Sequence, residues 1–240
     1  MAYELFFGAD SGTGAQVLDP LEAFVAYDAF MAGLTGVGEA DFEALPPGTT
    51  APLAVEFPGS SGTITATVAG TGAVVEHEPF ATDGDGRFSV LGGVRFWLAT
   101  APAGVEENFA VGFSQSVAAF GFWGTDPGDF GGTLVVDLLD ASNAVMQSFD
   151  IDVPGALGVG GSADGAVFFW GLKTTVAGEL FRRVRIRITG TVTADLFGFD
   201  SFTVGDLSQA GGGGGGGEPP VVDPPFWPGM AHVWPAGIPQ

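Results

Sequence analysis

The strongest constraint on the fold is the way glycine and proline divide residues 52–206 into short apolar runs. The 240-residue chain contains 41 glycines and 16 prolines, which is far above average usage. Apolar and polar residues alternate within the runs, and turn signals recur about every 10 to 15 residues. No helical run interrupts them, which disfavours a parallel sheet with crossover helices. We therefore predict a mostly β protein with about ten strands, an antiparallel β-sandwich of jelly-roll type.

Individual strands follow from the same signals. PLAVEF and TITATV are predicted strands joined by PGSSG, and GTLVVDLLD and VMQSFDIDV are predicted strands flanking the loop ASNA. RFSVLGGVRFWLAT is predicted to form a hairpin across Gly92 and Gly93, because two glycines suit a two-residue turn. The other predicted strands are NFAVGFS, VAAFGFWG, AVFFWGL, RRVRIRIT and DLFGFDSFTV.

The N-terminal segment contains the one stretch with helical periodicity. YELFF is a candidate strand, and LDPLEAFVAYDAFMAGLTG follows it. Asp19 can cap a helix there with Pro20 at its first position, and Gly33 or Gly36 can end it. The apolar residues that recur at helical spacing are Leu21, Phe24, Val25, Phe30 and Met31.

A run of seven glycines, Gly211 to Gly217, marks a boundary in the chain. We predict a strand and helix segment over residues 1–50 that packs on the sandwich, and the sandwich itself over 51–208. A flexible glycine linker over 209–217 then leads to a docking tail over 218–240.

The tail, EPPVVDPPFWPGMAHVWPAGIPQ, combines proline with large apolar side chains. It holds seven of the 16 prolines and is predicted to be extended and polyproline-like. A short peptide cannot bury Phe226, Trp227, Val233 and Trp234 on itself. We therefore predict that these four residues dock on a partner protein, either another copy or a neighbouring subunit.

The charge balance limits the classes of partner. Seven Lys and Arg residues stand against 28 Asp and Glu residues, for a net charge of −21. Such a polyanion repels nucleic acid and anionic lipid, so we expect to find neither as a partner. Carboxylates are good ligands for Ca²⁺, which makes calcium the candidate cofactor. The chain has no cysteine and no run of about 18 apolar residues, so we expect no disulfides and no membrane insertion.

The stretch FGFWGTDPGDFGG, Phe120 to Gly132, is read mainly as a turn between strands. Its Pro-Gly and Gly-Gly pairs are turn signals, and Asp126 and Asp129 can accept hydrogen bonds from turn amides. The Phe-Gly-Phe core recurs in DLFGFDSFTVGD, where glycine can let an aromatic ring pack against the backbone. A Ca²⁺ site that uses Asp126, Asp129 or Asp200 is the functional alternative.

The segment DGDG over residues 83–86 resembles the start of a calcium-binding EF-hand loop. The match fails because position 12 of that loop would be Val94 instead of glutamate. A turn rich in aspartate and glycine is the simpler reading. A ligand contribution from Asp83 or Asp85 stays open as an alternative.

Two groups of residues are candidates for ligand contact. In RRVRIRIT, alternation places Arg183, Arg185 and Arg187 on one face of a strand, for cross-strand pairing with carboxylates or for gripping an acidic glycan. Trp97, Trp123 and Trp170 lie in apolar strands, where they belong to the core or stack on a sugar. We expect Trp123 to be the exposed one, because it lies at the edge of the turn.

Several segments together resemble a family of bacterial exported proteins that often carry a C-terminal PEP-CTERM sorting signal. They cover about residues 38–206, and AFGFWGTDPGDFGG is the most specific of them. The resemblance implies a surface-exposed, non-enzymatic jelly-roll domain, with Ca²⁺ or sugar binding as candidate roles. The chain departs from that family in lacking a signal peptide, the Pro-Glu-Pro motif, a following transmembrane helix and a basic C-terminus. The matching segments are ADFEALPPGTTAPLAVEF, GRFSVLGG, FAVGFSQSVAAFGFWGTDPGDFGG, VFFWGL and DLFGFDSFTVGD.

These observations favour a structural role over catalysis. No nucleophile elbow, zincin motif or P-loop occurs, and His77 and His232 are the two histidines, so we expect no enzymatic activity. We expect a structural or adhesion subunit of a large assembly on a virion or extracellular surface. A decoration, fibre or tail component of a phage, anchored by the tail, is the favoured form. The alternatives are an extracellular carbohydrate-binding module and a bacterial surface protein.

Overall fold

The computed structural model describes residues 3–12, 17, 19–79, 81–101, 109–126, 133–151, 165–189 and 195–211. Within these residues the chain forms two α-helices, thirteen strands and one 3-10 turn, Ala177–Glu179. The helices are α1 (Leu21–Ala32) and α2 (Leu207–Ala210). The strands are β1 (Tyr3–Asp10), β2 (Gly38–Ala40), β3 (Leu53–Gly59), β4 (Gly62–Gly70), β5 (Gly72–Glu76), β6 (Arg95–Ala101), β7 (Phe109–Val117), β8 (Ala119–Thr125), β9 (Thr133–Leu139), β10 (Val145–Ile151), β11 (Val167–Thr174), β12 (Phe181–Thr189) and β13 (Asp195–Gly205).

The strands form two antiparallel sheets that pack face to face, which confirms the predicted β-sandwich. Sheet A has the order β1-β11-β8-β13-β6-β5, and the short strand β2 also pairs with β13. Sheet B has the order β10-β9-β12-β7-β4-β3. From β6 onward each successive strand lies in the opposite sheet, except that β9 and β10 form a hairpin within sheet B.

The motif that begins at Phe120 therefore belongs to a place where the chain changes sheets. β8 lies in sheet A and the next strand, β9, lies in sheet B. Residues 127–132, including Asp129, lie outside the described residues. The reading of the motif as strand, turn and strand is confirmed at its two flanks.

The core is dominated by aromatic rings between the two sheets. Phe122 and Phe199 lie 4.9 Å apart between ring centroids, and Phe109 lies 5.0 Å from Phe199. Every residue of β8 is buried, because α1 covers the face of that strand that points away from sheet B. Its Phe120 and Phe122 enter the core between the sheets, whereas Trp123 packs beneath the helix.

Two glycines in the sheet make room for the helix. Gly121 of β8 and Gly171 of β11 are directly paired across the two strands. A Cβ atom on Gly121 would lie 2.8 Å from Phe30 of α1, and one on Gly171 would lie 2.9 Å from the same ring. The prediction that the Phe-Gly-Phe glycine admits a neighbouring ring is thus confirmed, since any larger residue would displace Phe30.

The helix itself forms where predicted but is anchored differently. The Asp19 side chain makes no capping hydrogen bond. Instead the Asp10 carboxylate, at the end of β1, accepts hydrogen bonds from the Glu22 and Ala23 backbone N–H groups at 3.2 and 2.9 Å. The helix buries Ala23, Ala26 and Phe30.

Two of the apolar residues at helical spacing, Leu21 and Val25, are exposed on the outer side of α1. The sheet can cover one side of a helix only, and Phe30, seated on the paired glycines, fixes which side that is.

The predicted hairpin across Gly92 and Gly93 is wrong. β6 pairs with β5 and β13 instead, and residues 87–94 form a loop. Carboxylates hold this loop, since Asp200 accepts the Val90 N–H at 2.8 Å and Glu43 accepts the Val94 N–H at 2.7 Å. The backbone groups that a hairpin ladder would use are therefore bound to side chains from distant segments.

No helix among the described residues has the length and apolar character needed to cross a membrane.

The capping contact gives a direct test of how the helix is held. We expect Asp10→Ala to lower the free energy of unfolding by about 1 kcal/mol, because two N–H groups at the helix start lose their acceptor. The measurement is chemical denaturation of the full chain. Asp19→Ala is the matched control, and its free energy of unfolding should stay within about 0.5 kcal/mol of that of the parent. An Asp19→Ala effect as large as that of Asp10→Ala would contradict the assignment.

Candidate functional site

Trp123 is not an exposed sugar platform. Its side chain is 0% exposed and is enclosed by Phe24, Tyr27 and Phe169, with ring centroids 5.1, 5.4 and 5.3 Å away. The expectation of exposure is wrong because α1 lies over the outer face of β8, which the local sequence does not reveal. Trp97 and Trp170 are buried as well, so the core reading holds for all three tryptophans.

The arginine stripe on β12 pairs with a carboxylate on the neighbouring strand. Arg185 donates from Nε and Nη2 to Asp137 Oδ2 at 2.9 and 2.7 Å. Arg187 donates to the same carboxylate from Nε at 2.7 Å and from Nη2 at 3.2 Å. The predicted cross-strand pairing is confirmed, and Asp137 on β9 is the functional partner that sequence reasoning missed.

Asp137 is held ionised by this arrangement. Burial by itself would raise the pKa of Asp137, but hydrogen bonds from Arg187, Ser148 and Arg185 outweigh it and lower the pKa to about 2. The signal in the sequence was a lone aspartate within the apolar run VVDLL. A charge in such a run has to meet an opposite charge on an adjacent strand.

Arg183 lies at the hairpin end of the stripe. It donates to Asn143 Oδ1 at 3.4 Å, in the turn between β9 and β10. Val184 and Ile186 point the other way and are fully buried. The predicted division of this strand into an arginine face and an apolar face is confirmed.

Three of the predicted calcium ligands surround an arginine. Arg87 Nε lies 2.7 Å from Asp83 Oδ2, its Nη2 lies 2.6 Å from Asp85 Oδ2, and its Nη1 lies 3.8 Å from Asp126 Oδ2. The guanidinium of Arg87 is itself largely buried. The chain thus supplies its own cation where these carboxylates converge.

Asp200, the fourth candidate ligand, is a buried anchor for the loop over residues 87–94. Its Oδ2 accepts hydrogen bonds from Ser89 Oγ at 3.0 Å and from the Val90 N–H at 2.8 Å. Burial raises the pKa of Asp200, although these hydrogen bonds act in the opposite direction. Among the described residues no group of three or more His, Cys, Asp or Glu side chains is arranged to hold a metal ion.

An acidic cleft lies beside this loop. It has a volume of about 430 Å³ and is lined by Glu39, Asp41, Glu43 and the Gly92–Gly93 pair, among others. Glu43 Oε1 accepts the N–H groups of Val94 and Arg95, both at 2.7 Å. Its carboxylate therefore holds the loop in place.

All seven basic residues have partners within the chain. Lys173 Nζ lies 3.1 Å from Glu4 Oε2, and Arg95 Nη2 lies 2.7 Å from Glu76 Oε2. Arg182 donates to the Ser114 carbonyl, and the other four arginines are engaged as described above. With net charge −21, the basic residues act within the fold, and excess carboxylates dominate the surface.

Large apolar side chains are exposed at several places, among them the edge strand β1 and the helix α1. Leu5 and Phe7 of β1 are 47% and 37% exposed, and Leu21 and Val25 of the adjacent helix α1 are 61% and 58% exposed. Leu5 and Phe7 lie on the face of β1 turned away from α1, because Phe6 between them packs against Phe30 of the helix. The predicted docking residues Phe226, Trp227, Val233 and Trp234 lie outside the described residues.

Comparison with known proteins identifies no family. No protein-family model matches the sequence, and no curated protein matches it. Among solved structures, the chain is similar to the K2 cleaved adhesin domain of Lys-gingipain, with 13% identity and a TM-score of 0.40 over 70% of this chain and 97% of the adhesin domain. It is also similar to the enzymatically active domain of bacteriophage CBA120 tailspike protein 4, with 14% identity and a TM-score of 0.29 over 59% of this chain and 19% of the tailspike. Both likenesses are distant.

The Asp137 pair can be tested by removing its charge. We expect Asp137→Asn to lower the free energy of unfolding by roughly 2–3 kcal/mol, less than for a fully buried pair because both guanidinium groups keep some solvent contact. Unfolding is measured by chemical denaturation as a function of pH.

The pH dependence has a definite sign. Because the folded pKa of Asp137 is depressed to about 2, its contribution is present above the unfolded pKa of about 3.9 and is lost as pH falls through 2. The Asp137→Asn chain should lack this acid-labile component. Asp150→Asn, on the exposed part of β10, is the control, and an equal loss there would refute the special role of Asp137.

The Arg87 cluster predicts how the protein responds to calcium. We expect the thermal midpoint of the parent to be the same in EDTA and in excess Ca²⁺, because the Arg87 guanidinium occupies the place where the three carboxylates converge. Arg87→Met should lower the free energy of unfolding by roughly 2–3 kcal/mol, and Ca²⁺ should restore part of that loss. A Ca²⁺-dependent midpoint in the parent would instead support a native calcium site.

Proposed function

We propose that this chain is a non-enzymatic structural or adhesion subunit of a large assembly exposed on a virion or extracellular surface. The favoured form is a phage decoration, fibre or tail component, anchored by residues 218–240. One observation carries the proposal. The fold uses its candidate ligand-binding residues for internal contacts and leaves Leu5 and Phe7 exposed on the edge strand β1.

The candidate catalytic and ligand-binding side chains are engaged in contacts within the fold, which argues against catalysis and sugar binding. Asp83, Asp126, Asp137, Asp200 and Glu43 all serve internal ion pairs or hydrogen bonds. A general acid or base has to be free to reach a substrate.

The alternative of a carbohydrate-binding module loses its main contacts. Trp123 is enclosed beneath α1, and Arg185 and Arg187 are held by Asp137. Stacking on a sugar requires an exposed aromatic face.

The net charge and the aromatic core of this domain are compatible with a location on an exposed surface. A net charge of −21 keeps copies apart and soluble except where a specific apolar contact brings them together. The domain contains no disulfide, so the aromatic core and the buried ion pairs hold it together.

The fold has a defined end at α2, just before the glycine run. Asp206 accepts a hydrogen bond from the Ser60 N–H at 2.6 Å and from the N–H groups of Ser208 and Gln209. Gln209 Nε2 donates to the Gly36 and Pro58 carbonyls at 2.6 and 3.0 Å. These contacts join the end of the sandwich to distant segments.

Removing the residues after Gly211 tests whether the tail is needed for assembly without disturbing the fold. A chain that stops after Gly211 should have a free energy of unfolding within about 0.5 kcal/mol of that of the parent, because it keeps α2 and its contacts. The same truncation should abolish incorporation into the native particle or filament, as observed by negative-stain microscopy and immunodetection of purified assemblies.

A chain that stops after Gly205 is the control for the fold. It loses the Asp206 and Gln209 contacts and should be destabilised by roughly 2 kcal/mol or more. Normal incorporation of the chain truncated after Gly211 would refute the proposed anchoring role.

A further inference from the structure

The four edge strands of the sandwich differ in how they are protected. A free edge exposes unpaired backbone groups to other chains, and most proteins blunt such edges with prolines, charges, bulges or covering loops. β5, at one end of sheet A, is covered: Gly48 N–H bonds the Val74 carbonyl at 2.7 Å, and Val74 N–H bonds the Thr49 carbonyl at 2.9 Å.

The two edges of sheet B carry other devices. β3 contains Pro58 and exposes Glu56. β10 has an irregularity in register between Val145 and Gln147 and exposes Ser148 and Asp150. Each of these strands therefore presents an interrupted or polar edge to a would-be partner.

β1 has neither a proline nor an irregularity in its register. Its eight residues pair with β11 in unbroken register, from Tyr3 opposite Thr174 to Asp10 opposite Val167. It contains no proline and no lysine. Among the described residues it pairs with β11 alone, which leaves its other edge open.

The charges of β1 are already neutralised or in use. Glu4 pairs with Lys173 at 3.1 Å, and Asp10 caps α1. Leu5 and Phe7 are exposed, and the Phe7 ring lies 6.2 Å from that of Phe168 at the margin of the core. A regular, apolar edge without protection is the arrangement used for docking by strand addition.

We propose that the open edge of β1 accepts residues 229–234 from the tail of a neighbouring copy as an added strand. The inference rests on the proposed function and names the surface that receives the anchor. The segment GMAHVW lies between Pro228 and Pro235 and contains no proline, so each of its residues can donate a backbone hydrogen bond.

The composition of this segment matches the edge. It contains no Asp or Glu, in a chain with 28 of them, so it can approach β1 without the repulsion that other segments of a second copy would meet. Its alternation places Met230, His232 and Trp234 on one side of an extended strand and Ala231 and Val233 on the other. Large apolar side chains can therefore cover Leu5 and Phe7.

The length of the tail permits the contact. The described fold ends at Gly211, directly after α2, which packs against β11, the neighbour of β1. The 17 residues between Gly211 and Gly229 can span at most about 60 Å. Donation from one copy to the next is a head-to-tail interface, which builds rings or filaments.

Introduced cysteines test the contact in the full-length chain, which has none of its own. Chains with Leu5→Cys are mixed with chains carrying Met230→Cys or His232→Cys, on the side of the added strand that faces Leu5, under mild oxidation. We expect disulfide-linked dimers, because facing residues of antiparallel strands have Cα atoms about 4.5–5.5 Å apart, within disulfide range. Leu21→Cys is the matched control, since Leu21 is the same residue type and is more exposed.

The outcomes separate the possible acceptors. Dimers from Leu5→Cys with little product from Leu21→Cys support the proposal. Equal yields from the two, or product from Leu21→Cys alone, overturn it in favour of non-specific contact or of α1 as acceptor. A chain carrying both Leu5→Cys and His232→Cys that closes only on itself overturns donation between copies.

A second pair of variants distinguishes this inference from the proposed function. Leu5→Lys should weaken self-association of the full chain about tenfold, because a charge blunts the edge, whereas Leu21→Lys should leave it unchanged. Circular dichroism checks that both variants fold. If the tail is required for assembly but Leu5→Lys assembles normally, the inference about the β1 edge is wrong and the proposed function still stands. If the chain truncated after Gly211 also assembles, the proposed function fails.

Discussion

The packing of Phe30 on a pair of glycines is the contact on which much of this structure depends. Gly121 and Gly171 lie opposite each other on adjacent strands and open a depression in sheet A that the ring fills. Because α1 can then lie directly on the sheet, both faces of β8 become buried. The same contact buries Trp123 beneath α1, so the residue expected to stack on a sugar is not accessible to a ligand.

The charged residues are likewise engaged in contacts within the fold. A chain with so few basic residues uses each of them to neutralise a carboxylate or to bind a carbonyl within the fold. Arg87 gathers a set of aspartates that look in sequence like a calcium loop, and Asp137 ties two arginines to the middle of sheet B. Losing one partner of such a buried pair is costly, because the other charge is left buried without compensation.

One edge strand of sheet A, β1, is apolar and pairs with a single neighbour among the described residues. Sheets end in strands whose outer backbone groups need water, a covering loop or another chain. Here the outer strand of sheet A next to α1 is regular and apolar, whereas the opposite outer strand is covered by the loop around Thr49. In the proposed assembly, this asymmetry would let the tail of one copy meet the open edge of the next.

The sequence by itself determined the class of fold, the positions of most strands and the one long helix. These depend on local periodicity and on turn residues, and both can be read within a window of about ten residues. The alternation in RRVRIRIT also predicted which side chains share a face, and an acidic partner for the arginines was predicted without naming Asp137.

Only the tertiary structure decided what each chemical group does. The cap of α1 comes from Asp10 and not from the nearby Asp19, because β1 ends beside the start of the helix. The expected hairpin at Gly92 gives way to a loop because Asp200 and Glu43, distant in sequence, bind its backbone amides. Such contacts join segments as many as 110 residues apart, so no local pattern can encode them. Burial and pairing are properties of the packed sheets, and they determine which residues remain available to a partner.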